Sequence, residues 1–466
     1  MKTGGLADVS AALPKALAQL GHRVTVLAPL YREVDREGME LRGSVHVPIG
    51  GSARSATFYA TRADGVEIVF IDHPPYFDRP FPYGVGSRDY PDNDVRFAFL
   101  SRAALEYFRS RAQRPDVVHA HDWQTGLVPV YMKTHYWNDP TLGRVPSVFT
   151  IHNLAYQGRF ALGAAPRIDL PAHLVTPEGL EFHGSLCYLK GGLLFAELLN
   201  TVSPRYAEEI QTPAQGYHMD GVLRARRADL TGILNGVDYE EWDPSRDGHI
   251  ARPYSSGDTT GKEACRQDLM RTFGLSAAPA LPTIGIVSRL VGQKGFDVVV
   301  AAWHDLLERP LRMVVVGTGD PDVQDGFRRL AEQAPDRFGV RFVYDTALAH
   351  KVIAGSDMLL MPSRYEPCGL TQMYALRYGT VPIVRATGGL VDTVEPFDRA
   401  TGRGTGFRFD RADGTAVMWG IDQALAAYAD PPEWKTLQQN GMTRDFSWRR
   451  SAEAYVELYR ESARRV

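Results

Sequence analysis

The chain has 466 residues, 44% of them hydrophobic and 23% charged. At roughly 150 residues per domain this allows two large domains or three smaller ones, and it excludes a mini-protein or a disordered chain. Lys and Arg total 52 against 55 Asp and Glu, a formal net charge of -3, which excludes the basic footprint of a dedicated nucleic-acid binder. The 3 cysteines, Cys187, Cys265 and Cys368, are too scattered for a disulfide framework or a Cys-x-x-Cys metal site. No apolar run is long enough to span a bilayer and no signal-peptide pattern opens the chain, so a cytoplasmic protein without membrane partners is expected.

In chain order, Gly4 and Gly5 precede apolar residues at Leu6, Val9, Leu13, Leu17 and Leu20, a helical pattern that Pro14 is expected to kink or restart. A glycine pair before a helix lets backbone amides approach an anion or a sugar, and Lys2 adds a full charge. A plain capped turn is the simpler use of the same residues. Strand-like runs follow at 23–27, 116–119, 147–151, 283–287, 313–316, 358–361 and 382–384. Alternating with helical patterns, they predict βαβ units on parallel sheets. The segment 56–71, with Ala63-Asp64-Gly65 inside it, reads as an inserted hairpin. Between 242 and 282 the chain turns polar and rich in Gly, Pro, Ser and Ala, apart from a helical stretch near 262–273. The joint between domains is expected there: a first domain over 1–245, a linker over 246–281, a second domain over 282–446, and a terminal helix over 447–466 with Tyr455, Leu458 and Tyr459 on one face. The fold class is then α/β, with two doubly wound domains facing across a deep cleft and ligands bound beyond the carboxyl ends of strands.

The residues after those strands carry the chemistry. His119-Ala120-His121-Asp122-Trp123 and Ile151-His152-Asn153 end two successive strands. Their imidazoles and carboxylate could be metal ligands, but no ligand spacing accompanies them, and hydrogen bonding to a hydroxylated substrate is the better use. Arg289 and Lys294 share one loop after the 283–287 strand, a fork and a point charge suited to a diphosphate leaving group. The run Glu366-Pro367-Cys368-Gly369-Leu370-Thr371 lies between a buried strand and a helix. There Gly369 permits close backbone approach, the Leu370 and Thr371 amides face an anion, and Glu366 accepts from sugar hydroxyls. Cys368 has no His/Asn partner motif and reads as a lining residue. Gly317 and Gly319 suggest a nicotinamide-binding turn, but the third glycine of that fingerprint is absent. The triplets at 92–94 and 320–322 match the Asp-x-Asp pattern of metal-dependent transferases, a match short enough to arise by chance.

Taken together, seven segments resemble the bacterial glycogen synthase and plant starch synthase family. They are Lys-Thr-Gly-Gly-Leu-Ala-Asp-Val at 2–9, His-Asp-Trp at 121–123, Ile-His-Asn-Leu-Ala-Tyr-Gln-Gly at 151–158, Asn-Gly-Val-Asp at 235–238, Ser-Arg-Leu with Gln-Lys-Gly at 288–295, Glu-Pro-Cys-Gly-Leu-Thr-Gln at 366–372 and Thr-Gly-Gly-Leu at 387–390. The resemblance implies two Rossmann-like domains of the GT-B type, the terminal helix crossing back to the first. It also implies metal-independent, retaining transfer of glucose from ADP-glucose to the nonreducing end of an α-1,4-glucan such as glycogen, with no cofactor. By motif match, Lys2, Gly4 and Gly5 belong to the donor loop, with Asn235 also on the donor side. Asp122 and His152 line the glucose and acceptor side, and Arg289 and Lys294 hold the diphosphate. Tyr344 stacks near adenine, and Glu366, Cys368, Gly369, Leu370 and Thr371 surround the donor sugar. Related retaining transferases carry a second Glu eight positions after the first; here position 374 is Tyr, as in the glycogen/starch synthase branch. The family's first apolar strand does not precede the Lys-Thr-Gly-Gly loop in this sequence; because losing it would forfeit on the order of 10 kcal/mol of burial, a natural start upstream of Met1 is expected. The alternatives are a glycosyltransferase with another donor or acceptor, and a noncatalytic glucan- or nucleotide-binding protein.

Overall fold

The computed structural model describes residues 5–86, 88–276 and 280–466. The chain divides into two compact units, one of 1–202, 207–233 and 448–466, the other of 203–206 and 234–447.

The first unit holds two sheets with parallel strands. In one, Leu230–Gly232, Leu198–Thr201, Ser147–Ile151 and Val118–His121 lie side by side in that order, all parallel. In the other, Thr25–Pro29 pairs parallel with Val66–Asp72, which continues antiparallel through Ser52–Ala63 to Glu40–Ile49. The expected hairpin is therefore present, extended by a third antiparallel strand. Among the described residues Thr25–Pro29 has a ladder only with Val66–Asp72, and Val118–His121 only with Ser147–Ile151. The helix Gly5–Gln19 runs unbroken through Pro14, so the expected restart does not occur. Its buried Val9, Leu13, Ala16 and Leu17 pack with Trp448, Ala452, Tyr455, Val456 and Leu458 of the terminal helix Trp448–Ala463. Burying that stripe outweighs the hydrogen bond that proline cannot donate.

The second unit is built on one all-parallel sheet of six strands. Their spatial order is Phe338–Arg341, Arg312–Val316, Thr283–Val287, Met358–Met361, Val381–Arg385, Phe407–Phe409. In chain order this is 3-2-1-4-5-6, the doubly wound arrangement whose switch point falls between Thr283–Val287 and Met358–Met361. Strands covered on both faces need continuous apolar runs, and Arg312–Val316 and Met358–Met361 are buried at every position.

The stretch 246–281, expected as a linker, belongs to the second unit. Its helix Thr260–Phe273 buries Leu269, Met270 and Phe273 against Val314, Val316, Leu348 and Val352. Lys262 on the same helix donates to the carbonyls of Ala354 and Tyr378 and to Thr380 Oγ1 at 2.9, 3.1 and 2.7 Å. A polar composition reads as a linker because the few apolar residues that anchor it are widely spaced. Among the described residues no helix is long and apolar enough to cross a membrane.

Candidate active site

At the switch point of the second unit, four loops are packed backbone against backbone, and glycines make this possible. A Cβ on Gly317, at φ 148°, would fall 1.7 Å from the Ser288 carbonyl oxygen, and one on Gly319 would fall 2.2 Å from that of Leu290. These two glycines therefore serve the loop that carries Arg289, which is a different use from the dinucleotide turn their spacing suggests. Gly295, at φ 70°, closes in the same way on the Pro362 carbonyl, Gly388 on that of Glu366 and Gly389 on that of Cys368. Hydrogen bonds complete the weave: Arg364 N donates to Gln293 O at 2.8 Å, Gly389 N to Glu366 O at 3.0 Å and Leu290 N to Thr318 O at 2.9 Å.

On this frame Lys294 Nζ lies 2.6 Å from Glu366 Oε2, and Ser363 Oγ donates to the same oxygen at 2.9 Å. Glu366 is 5% exposed, so its charge is held by the ammonium rather than by bulk water. Arg289 reaches Gln293 Oε1 at a long 3.4 Å, a weak contact that leaves most of its donors uncommitted. Arg364 makes a two-pronged pair with Asp297, both contacts at 2.6 Å, and that hydrogen bonding holds the Asp297 carboxyl below the usual range. This pair anchors the start of the helix Phe296–Ala301 directly after the Lys294 loop. Gly369 has φ 73° and opens the helix Thr371–Arg377 behind Leu370. Gln372 Nε2 ties that turn down by donating to the carbonyls of Cys368 and Gly369, both at 3.0 Å. Ser203 Oγ donates to Pro367 O at 2.6 Å. Cys368 is buried and its thiol is pushed up to about 12 by desolvation, too high for a thiolate nucleophile near neutrality. Asn235 is buried with its Oδ1 unpartnered, and its backbone amide reaches the Cys368 sulfur.

In the first unit, Asp122 sits at φ 55° just beyond the strand Val118–His121. Its Oδ1 accepts from the backbone amide of His152 at 2.7 Å. Burial raises its carboxyl to about 7, against the pull of the His152 and Asn153 amides. His152 Nε2 lies 3.0 Å from His121 Nδ1, and His152 Nδ1 is buried without a partner. Burial holds His121 down to about 4 and keeps His119 and His152 well below the usual histidine range, so all three rings are neutral at physiological pH.

Gly5 begins the first helix, whereas Lys2 and Gly4 lie outside the described residues. Tyr344 is 82% exposed in the turn after Phe338–Arg341. Tyr374 stacks on Trp242 at 4.0 Å between ring centres, with His350 on the other face of Trp242 at 3.7 Å, so an aromatic pile occupies the position of the second Glu in related transferases. Both Asp-x-Asp triplets have structural partners. Asp92 pairs with Arg79 at 2.5 Å, Asp94 with Arg167, and Asp320 Oδ2 accepts from the Gly292 amide at 3.0 Å. Among the described residues no group of three His, Cys, Asp or Glu side chains is placed to hold a metal ion. Sequence reasoning missed Ser363, Ser203, Gln372 and the Arg364–Asp297 pair. The first three are small or neutral polar residues whose role depends on what folds against them. The last joins two residues 67 apart in the chain, and no spacing rule signals such a pair.

Residues 1–225 match the family described as the starch synthase catalytic domain, and residues 275–441 match glycosyl transferases group 1. The chain is 48% identical to the glycogen synthase of Koribacter versatilis (strain Ellin345) over 467 aligned residues, covering 100% of this chain and 96% of that one. It is also 48% identical to the glycogen synthase of Anaeromyxobacter sp. (strain Fw109-5), covering 99% and 97%. This chain belongs to the glycogen synthase and starch synthase family. The catalytic domain of starch synthase IV from Arabidopsis thaliana, bound to ADP and acarbose, matches it with a TM-score of 0.91 at 33% identity, covering 99% of this chain and 97% of that one. A sucrose-phosphate synthase from Thermosynechococcus elongatus matches with a TM-score of 0.60 at 18% identity, covering 98% and 94%, a likeness of fold alone. The architecture is GT-B and the chain is a retaining glycosyltransferase of the synthase family.

Proposed function

We propose that the chain transfers glucose from ADP-glucose to the nonreducing end of an α-1,4-glucan with retention of configuration, releasing ADP without a metal ion. The observation that carries this reading is the Lys294–Glu366 pair at the switch point, with Arg289 on the same loop as the lysine. Departure of the nucleotide diphosphate breaks the bond between C1 of glucose and a phosphate oxygen, which keeps the electron pair. Fixed cations stabilise that growing charge most where solvent is excluded. Arg289 and Lys294 supply the two charges, and Glu366 holds the ammonium in place and accepts from sugar hydroxyls. The incoming 4-hydroxyl forms the new bond on the face the phosphate leaves, and its proton passes to the departing phosphate oxygen. A double displacement needs a carboxylate on the opposite face. Asp122, with its carboxyl raised to about 7 by burial, is poorly suited to be that nucleophile.

Asp122 and His152 line the glucose and acceptor side, Asn235 and the turn 368–371 hold the donor, and Tyr344, being widely exposed, offers a face for adenine. The test is incubation with ADP-glucose or UDP-glucose plus glycogen, with and without chelator, reading nucleotide release and chain extension. Glycogen-dependent ADP release that is indifferent to chelator is expected. Activity abolished by chelator, or a trapped glucosyl ester on Glu366 or Asp122, overturns the mechanism.

A further inference from the structure

Behind His152 lies a chain of buried and half-buried polar groups whose proton positions can be deduced one from the next. Asn200 Nδ2 donates to the carbonyls of Thr201 and Thr231 at 2.9 and 3.2 Å, so its Oδ1 is the acceptor end. That oxygen accepts from Thr150 Oγ1 at 2.7 Å and from Tyr455 OH at 3.0 Å. Thr150 has one proton, now committed, so at 2.6 Å from His119 Nε2 its oxygen accepts and the ring nitrogen donates. His119 Nδ1 is then a bare lone pair, and it accepts from Tyr459 OH at 2.8 Å. The terminal helix thus locks His119 as a neutral ring with its proton on Nε2. His121 packs on that ring with centres 4.0 Å apart, and its backbone is fixed by exchange with Thr125 Oγ1 at 2.6 and 2.8 Å.

The contact from His121 Nδ1 to His152 Nε2, 3.0 Å long, joins two neutral rings, and only one of them can donate. If His121 donated, His152 would carry its proton on Nδ1. That atom is buried and has no partner, so a donor N–H would be orphaned inside the unit. If His152 donates, Nδ1 is an orphaned acceptor instead. Orphaned buried N–H groups are the rarer and costlier of the two. The second arrangement also places the proton of both rings on Nε2, as in His119.

We propose that His121 is a positioning residue, which accepts the Nε2 proton of His152 and so keeps His152 Nδ1 as a bare acceptor reserved for a hydroxyl of the bound sugar. A phosphate oxygen, itself only an acceptor, is refused at that point, and the site distinguishes a sugar hydroxyl from the diphosphate of the same donor. This assignment rests on the reading that a sugar binds beside His152.

The test uses the full chain labelled with 15N-histidine, without substrate. Long-range proton–nitrogen correlation spectra show which nitrogen of each ring is protonated, and loss of signals in His152→Gln identifies the ring in question. The expected pattern for His152 is a protonated Nε2 and an unprotonated Nδ1. His121→Phe, which keeps a ring but no acceptor, shifts His152 toward the other tautomer and lowers kcat/KM roughly 10- to 100-fold, the worth of one oriented hydrogen bond. His121→Asn, whose amide oxygen can accept in place of Nδ1, recovers most of that loss and the original pattern. A proton on His152 Nδ1 in the unsubstituted protein overturns the proposal, as does His121→Phe with unchanged tautomer and kcat/KM. If the tautomer pattern holds but no sugar nucleotide supports transfer to glycogen, the sugar reading fails while the His121 assignment stands.

Discussion

Asp122 shows how much a single position can be asked to carry. Its φ of 55° is uncommon for a residue with a Cβ, its carboxylate is tied to the His152 amide, and burial lifts it from 3.8 to about 7. A carboxyl raised in this way keeps its proton in the folded state after the unfolded chain has lost it. Between about pH 4 and 7 the folded state holds the extra proton, and stability falls as pH rises by up to about 1.4 kcal/mol per pH unit. The buried histidines act in the opposite sense below pH 6.5, because the unfolded chain takes up protons they refuse. Comparing Asp122→Asn with the unsubstituted protein isolates the carboxyl: in thermal unfolding followed from pH 5 to 8, the unsubstituted protein is expected to lose stability relative to the variant as pH rises to about 7 and to lose no more above it. Parallel curves would remove the buried-carboxyl account. At the proposed leaving-group site, Arg289→Ala and Lys294→Ala are each expected to lower kcat roughly a hundredfold to a thousandfold with unchanged circular dichroism. Near-normal turnover in either variant would dismiss that cation. Arg289, Lys294, Glu366, Asp122 and His152 are legible as candidates in the sequence because each lies in a recognisable run that follows a strand. Ser363 and His121 acquire their partners only through folding.

Among the elements, loops rather than strands make the site, and glycines set their spacing. Gly388→Ala would drive a Cβ to 1.9 Å from the Glu366 carbonyl oxygen at a φ of 45°, where neither backbone can yield without moving the other. This variant is expected to lower the unfolding temperature and raise KM for the sugar nucleotide together, because the displaced segment carries Glu366. Gly221→Ala is the control: its site is open and lies within the helix Asp220–Ala225, so the change is expected to be neutral or stabilising by about 0.5–1 kcal/mol. Equal effects in both would show that the loop packing has no special weight. Strands at 147–151, 283–287 and 358–361 are legible as compact apolar runs and match the observed bounds. Leu198–Thr201, Leu230–Gly232, Phe338–Arg341 and Phe407–Phe409 are not legible in this way. They are 3 or 4 residues long, too short for a period to register, and Asn200 and Arg408 interrupt two of them.

For the whole chain, the terminal helix is the element whose importance is hardest to read locally. Its apolar face completes the core around Gly5–Gln19, and its two tyrosines close the buried polar chain behind His119. Removing residues 448–466 is expected to leave amides of Gly5–Gln19 exchanging fast with deuterium while those of Thr283–Val287 keep their protection. Retained protection in the first helix would show that this packing adds no stability. By itself the sequence determined the α/β class, the family and the runs proposed to carry the reactive side chains, because glycines, buried strands and fixed motif order are local signals. Only the tertiary structure decided that 246–281 belongs to the second unit, that Lys294 meets Glu366, that the Asp-x-Asp triplets are taken up by arginines and a backbone amide, and that His152 has one nitrogen engaged and one free. Those facts depend on which residues, distant in the chain, come within hydrogen-bond reach, and that is settled by burying the whole apolar surface at once.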